Sequence, residues 1–267
     1  MRKYLLAAVA TAAVTATPAM ARDHSLYTGI EGGLTWAQKT DINASVDFTN
    51  PLVADITNRR IATVKHKMGY DVDALLGYDF GMFRLEGELG YKHSNLKNLT
   101  INNTFLNALG TGAGTTFTDN TFNLDGKTTV LSGMANALFD FGNDNGFGGY
   151  VGAGFGRARV KTLGDSDSAW AWQLIAGVRT AISSNVDLGL KYRYFRTGNL
   201  NFNNDYAFPI GTTCTVTTCS GGTAFFGNNN HYASHSLMLS LIYNFASAAP
   251  PPPPPPPPPV QRGERGE

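Results

Sequence analysis

From residue 26 onward the chain alternates apolar and polar side chains with a period of two, not the 3.6 of an amphipathic helix. Residues 83–92 show it best. Phe83, Leu85, Gly87, Leu89 and Tyr91 share one face of an extended strand; Arg84, Glu86, Glu88, Gly90 and Lys92 share the other. A helix would spread these residues around its circumference, whereas a strand separates them. Seven further stretches, 26–36, 68–80, 129–141, 147–160, 170–182, 186–195 and 233–245, follow the same rule. In the second, Tyr70, Val72, Leu76 and Tyr78 oppose Asp71, Asp73 and Asp79. In the sixth, Leu188, Leu190, Tyr192 and Tyr194 oppose Asp187, Lys191 and Arg193. Stretch 147–160 is glycine-rich, with Val151, Ala153 and Phe155 against Gly152, Gly154 and Gly156.

Eight strands are therefore expected. Short connections at 81–82, 142–146 and 183–185 alternate with longer polar ones near 37–66, 93–127, 157–168 and 196–230. That is the layout of an outer-membrane barrel with short periplasmic turns and long external loops. Two features favour lipid over a soluble sandwich. Full charges sit mid-strand on the polar face, as with Glu86 and Glu88 or Lys191 and Arg193. Aromatics gather at both strand ends: Phe80, Phe83, Phe139, Phe141, Tyr243 and Phe245 beside the short turns, Trp36, Tyr91, Trp170, Trp172 and Tyr194 beside the long loops. Two aromatic girdles around an apolar band suit the bilayer interfaces. Unpaired strand edges are too costly in hydrocarbon, so the sheet must close. The expected fold is all-β: an eight-stranded antiparallel transmembrane up-and-down barrel. An even strand count puts both termini in the periplasm.

Composition changes this picture little. Mean hydropathy is slightly negative, which argues against a helical membrane protein but not against strands that face lipid at alternate residues. The formal net charge of +1 gives no reason to expect nucleic acid as a partner. Arg2 and Lys3, an apolar run over 5–14 and the small-x-small triplet Ala19, Met20, Ala21 read as an export signal cleaved after Ala21. Removing Arg2 and Lys3 leaves 19 basic residues against 20 acidic ones. The expected organisation is a signal peptide at 1–21, a barrel at 22–245 and a proline-rich, disordered periplasmic tail at 246–267.

The candidate chemistry lies on the polar face. An eight-stranded barrel is just wide enough for its side chains to fill. Glu31, Asp71, Asp73, Arg84, Glu86, Glu88, Lys92, Arg179, Lys191 and Arg193 point inward by parity, acids mixed with bases. Buried charges must pair, so an ion-pair network plugging the lumen is expected; a narrow ion or small-solute path is the alternative. Cys214 and Cys219 lie together in the last long segment, and export implies an oxidising route, so they are expected to form a disulfide. No metal site is expected, because further ligands are lacking nearby. An enzyme is not expected either. His235 lies between Ser234 and Ser236, and neighbouring residues on a strand point to opposite faces, so no nucleophile–base pair forms there. His24, His66, His93 and His231 read as solvated surface. The segment 93–127 is rich in Asn, Thr and Gly and is a candidate for adhesion.

Residues 131–141 (LSGMANALFDF), 150–156 (YVGAGFG), 172–179 (WQLIAGVR) and the closing Tyr243, Asn244 and Phe245 resemble the small outer-membrane barrels of the OmpA transmembrane-domain and opacity-protein type. The resemblance spans about 24–245 and implies eight strands. It also implies outer-membrane lipid and lipopolysaccharide as surroundings, no cofactor, and delivery by the barrel-assembly machinery through the terminal aromatic Phe245. The ten prolines at 250–259 extend about 30 Å as a stiff polyproline helix. In OmpA relatives such a hinge leads to a peptidoglycan-binding domain; here eight residues follow. The run reads as a spacer or as a ligand for a periplasmic or cell-wall partner. The expected function is structural: envelope integrity and surface-loop display, in a Gram-negative outer membrane. The alternatives are a narrow channel and an adhesin or opacity-type surface antigen.

Overall fold

The computed structural model describes residues 24–48, 55–113, 116, 118–123, 125–142, 147–162, 164–201, 207–214, 219–227 and 229–245. The export signal and the proline tail lie outside the described residues. Eight strands form the barrel: β1 (Ser25–Ala37), β2 (Gly69–Asp79), β3 (Phe83–Ile101), β4 (Lys127–Gly142), β5 (Phe147–Thr162), β6 (Asp165–Ala181), β7 (Val186–Thr197) and β8 (Ala233–Asn244). Each pairs antiparallel with its neighbours in chain order, and β8 returns to β1, with Tyr27 opposite Asn244. The ring is closed, so no barrel edge is left unpaired.

The register fixes the shape. Following partners once around from Tyr27, through Gly77, Glu86, Asn136, Gly154, Gln173, Phe195 and Ser234, leads to Ala37, ten residues further along β1. With eight strands about 4.8 Å apart and about 3.3 Å per residue, that stagger tilts the strands by about 40°. The lumen then has room for side chains only.

Alternation sorts the faces as the sequence leads one to expect. Ile30, Leu89 and Leu239 are 61–64% exposed on the outer wall, while Glu88 and Arg193 lie buried within. So many large apolar side chains in one exposed band are foreign to a water-soluble surface. The girdle residues pack in pairs beside the short turns, Phe80 stacked on Phe83 at 5.0 Å and Tyr243 edge-on to Phe245 at 5.2 Å. They do so again at the loop end, Phe155 on Trp170 at 5.1 Å and Trp172 against Tyr194 at 5.4 Å. The turn after β2 is tight. Gly81 adopts φ 97°, and its N–H donates to Asp79 Oδ1 at 2.8 Å.

Two expectations about the connections are corrected. Segment 157–168 is not a long loop. β5 runs to Thr162 and β6 starts at Asp165, so strict alternation of short and long connections fails there. Nor are the other long segments plain solvated caps. Thr40–Phe48 and Ile56–His66 pair with each other, and the latter extends onto the upper part of β3. Cys219–Gly227 adds to Thr40–Phe48, and Ala207–Cys214 adds to that, making a second sheet above the loop end. Its backbone register sets Cys214 opposite Cys219. Segment 93–127 holds a helix, α1 (Asn103–Ala113), whose start is capped by Asn102 Oδ1 accepting from Thr104 N at 2.8 Å. Phe105 and Leu106 of α1 are buried. Backbone pairing to existing strands turned polar segments into structure that periodicity did not announce. His66, read as solvated, is half-buried with Nε2 3.4 Å from Thr128 Oγ1.

Inside the lumen two tyrosines lie over cross-strand glycines, Tyr27 on Gly77 and Tyr150 on Gly177, at opposite sides of the barrel. A Cβ on either glycine would enter the tyrosine ring. Gly77→Val and Gly177→Val should each lower stability by about 1–3 kcal/mol through overpacking. Urea unfolding of the refolded protein in micelles measures this, and unchanged midpoints would remove the tyrosine–glycine pairs from the packing account.

Candidate functional site

Glu31 from β1, Asp71 and Asp73 from β2, Glu88 and Lys92 from β3 and Lys191 and Arg193 from β7 meet in the middle of the lumen, each at most 5% exposed. The Arg193 guanidinium pairs with Asp71, with Glu88 and, at 2.9 Å, with Asp73. Lys191 pairs with Glu31 and lies 3.4 Å from Glu88, and Lys92 lies 3.2 Å from Asp71. In the ring β7 stands diametrically across from β3, so the contacts to Glu88 span the lumen. Neutral donors complete the shell of Glu88: Asn136 Nδ2 from β4 at 3.0 Å and Gln173 Nε2 from β6 at 3.2 Å. Ser240 Oγ from β8 donates to Glu31 at 2.9 Å. Six of the eight strands thus contribute polar atoms around Glu31 and Glu88, which offsets desolvation costing several kcal/mol per buried ion.

A second cluster lies nearer the short turns. Arg84 donates to both oxygens of Asp140, at 2.7 and 3.0 Å, and stands 3.7 Å from Glu86. Arg179 lies 3.6 Å from Asp79 and 3.5 Å from Asp140. The Tyr27 hydroxyl donates to Glu86 at 2.9 Å. The Arg84 guanidinium sits 4.9 Å from the Tyr150 ring centre and 5.6 Å from that of Tyr27. The ten charged residues singled out from parity therefore fall into two groups. Glu31, Asp71, Asp73, Glu88, Lys92, Lys191 and Arg193 form the upper one; Arg84, Glu86 and Arg179 belong to the lower.

The reading by charge and parity passed over several partners. Asp79, Asp140, Asn136 and Gln173 all lie on the polar face, and parity alone could have supplied them. Tyr27 and Tyr150 share the parity of Glu31 and Gly152, but an aromatic at a strand end reads as girdle. The lumen is also less polar than expected. Toward the loops Val130, Val160, Ala171, Phe195, Leu200 and Tyr232 form a buried apolar cluster, with Lys92 Nζ 4.7 Å above the Phe195 ring. Leu200 and Tyr232 arrive from the connection after β7 and exclude water there, so apolar side chains are favoured.

Carboxylate oxygens of Glu31, Asp73 and Glu88 converge within 4.8 Å. All three are already paired with Lys191 or Arg193. On β8, the His235 ring nitrogens lie 2.7 Å from Tyr192 Oη and 3.0 Å from Gln38 Nε2. Ser234 and Ser236 are buried on the opposite face, and Ser236 Oγ donates to Thr35 Oγ1 at 3.1 Å. The two serines and the imidazole are thereby kept apart by the pleat.

A family model described as outer membrane protein β-barrel domain matches residues 6–214. The chain is 28% identical over 100 residues to the outer membrane protein PagN of Salmonella typhimurium, a match covering 32% of this chain and 42% of that protein, less than half its length. Among solved structures, Neisserial surface protein A (NspA) is 15% identical, covers 82% of this chain and 97% of its own, and superposes with a TM-score of 0.42. Ail, the attachment invasion locus protein of Yersinia pestis, is 14% identical with a TM-score of 0.32, covering 84% of this chain and 99% of its own.

Proposed function

Because this chain belongs to the outer membrane protein β-barrel domain family, we propose that it is a plugged, non-catalytic barrel that displays a folded platform at the surface of the outer membrane. The observation that carries this reading is the bridge across the lumen. Lys191 and Arg193 of β7 reach Glu88 on the opposite wall, and an apolar cluster lies toward the loops. Ion pairs and packed hydrocarbon occupy the space a water path would need, which argues against the narrow-channel reading.

Planar-bilayer recording of the refolded protein tests it. The expected result is no steady conductance for the wild type. Steady unitary channels that vanish when Arg193 or Glu88 is replaced would establish the channel and end this reading.

The adhesin reading has its own support in the loop end, where strands of the connections form a second sheet and α1 adds a capped helix. Such a hydrogen-bonded platform suits binding better than bare loops do. Both ends of the barrel chain lie at the short-turn end, which we place in the periplasm with the proline run as a spacer. Protease shaving of intact cells should therefore cut the platform and spare the tail. The cross-strand register of Cys214 and Cys219 brings their Cα atoms within the span a disulfide needs. Alkylation of the denatured, unreduced protein should consume no thiol; two modified cysteines would remove the bond.

A further inference from the structure

We propose that the outer face of β4, β5 and β6 holds one phosphate-bearing lipid, its acyl chains in a hollow beside Phe155 and Trp170 and its phosphates on Arg157, Arg159, Lys161 and Lys127. The proposal rests on the reading that the loop end faces outward, where lipopolysaccharide supplies a lipid of this chemistry.

The outer wall of the barrel is shallowly depressed here. An open hollow of about 830 Å³ lies between Leu76 and Leu89 on one side and Phe155 and Trp170 on the other. Its floor is cut low by Gly87 and Gly133, and a Cβ on Gly133 would meet no atom within 4 Å. The Phe155 and Trp170 rings stack at 14° and wall it. An apolar hollow of this kind suits hydrocarbon chains.

Cations stand at its head. Arg157 lines the hollow, with its guanidinium 5.1 Å from the Trp170 ring centre. Arg159 and Lys161 follow on the same face of β5 toward the loop end, and all three are exposed. Thr129 is the register partner of Lys161, and exposed Lys127 lies two residues beyond it on β4. Among the described residues, none of these four cations has a carboxylate within ion-pair distance. Arg157 Nη2 donates to Ser168 O at 3.4 Å and Arg159 Nη2 to Ser166 Oγ at 3.0 Å. Asp165 and Asp167 of β6 carry the lumen parity of Ala169 and Ala171, so no acid of these three strands shares the cationic face. Four outward positive charges directly above an apolar hollow complement a lipid with anionic phosphates.

The test uses the full chain refolded in neutral-detergent micelles, with folding checked by its heat-dependent gel mobility. Bisphosphorylated lipid A is titrated and bound lipid is counted by native mass spectrometry. One lipid per barrel is expected at saturation. Arg157→Gln, Arg159→Gln and Lys161→Gln together should weaken binding by about a hundredfold. Gly133→Phe, whose Cβ meets no atom within 4 Å and whose ring would occupy the hollow, should weaken it about tenfold at unchanged charge. Lipid A stripped of phosphate should bind the wild type as poorly as bisphosphorylated lipid A binds the triple variant. That comparison needs no variant and decides the matter even if the triple variant does not refold. Equal binding of the stripped lipid, or many lipids bound without saturation, would overturn the proposal. So would a dimer that Gly133→Phe dissociates while lipid binding persists, because the hollow would then hold a second copy. Binding in micelles is blind to orientation, so a barrel whose platform resists protease on cells loses its outward reading and keeps this result.

Discussion

Replacing Arg193 by alanine is expected to cost the folded barrel about 3–5 kcal/mol, the range for removing one partner from a buried ion pair. Its guanidinium is 0% exposed and holds three carboxylates, those of Asp71, Asp73 and Glu88. Without it, three acids face one another in a closed lumen, with only Lys92 and Lys191 left nearby. The attraction lost is one part of the cost; the desolvated charge left behind is the larger part. Urea titration in lipid vesicles, read from tryptophan fluorescence, measures the difference. Replacing its partners as well, with Asp71→Asn, Asp73→Asn, Glu88→Gln, Lys92→Met and Arg193→Met, should recover most of the loss, since Lys191 keeps Glu31 and no other charge of the cluster is left unpaired. A single variant that costs less than about 1 kcal/mol would show that water reaches the cluster and screens it, contrary to a plugged lumen.

Leu239→Arg carries the second large effect, and it tests the membrane itself. Leu239 is 61% exposed and lies in register between Leu190 and Gly32, far from either end of β8. On a protein surface in water such a substitution changes stability by less than about 0.5 kcal/mol. At the middle of a bilayer an arginine on the lipid face costs about 2–4 kcal/mol. The expected result is a loss in that range in phospholipid vesicles. A neutral outcome would falsify the assignment of this wall to hydrocarbon, because nothing else in the fold penalises a charge there.

The two substitutions probe opposite faces of one alternation, and that alternation was legible from residues alone. Phe83, Leu85, Leu89 and Tyr91 against Arg84, Glu86, Glu88 and Lys92 separate the wall of β3 from its lumen. The physical reason is local, because successive side chains on a strand must point to opposite faces. All seven charged members of the upper ion cluster followed from the same parity. Their pairing did not. Glu88 meets Arg193 across a sequence separation of 105 residues, and only closure with a stagger of ten residues decides which inward charge faces which.

The departures have equally specific causes. Segment 157–168 read as a loop because Arg157, Arg159 and Lys161 break the apolar row; as an outward row of cations they continue the strand. The long connections read as coil because their strands are short and polar; they form hairpins within each segment that are joined to each other and to β3, partners the segment itself does not contain. The apolar cluster near the loops was hidden because Leu200 and Tyr232 arrive from outside the alternating stretches.

Sequence by itself determined the number of barrel strands, the facing of most side chains on them and the membrane setting, since each follows from a period of two and from residue polarity. Tertiary structure alone decided the partners inside the lumen, the sheet above the loop end and the hollow beside Trp170. Each of these depends on which strands closure brings side by side, and distance in space is not written in distance along the chain.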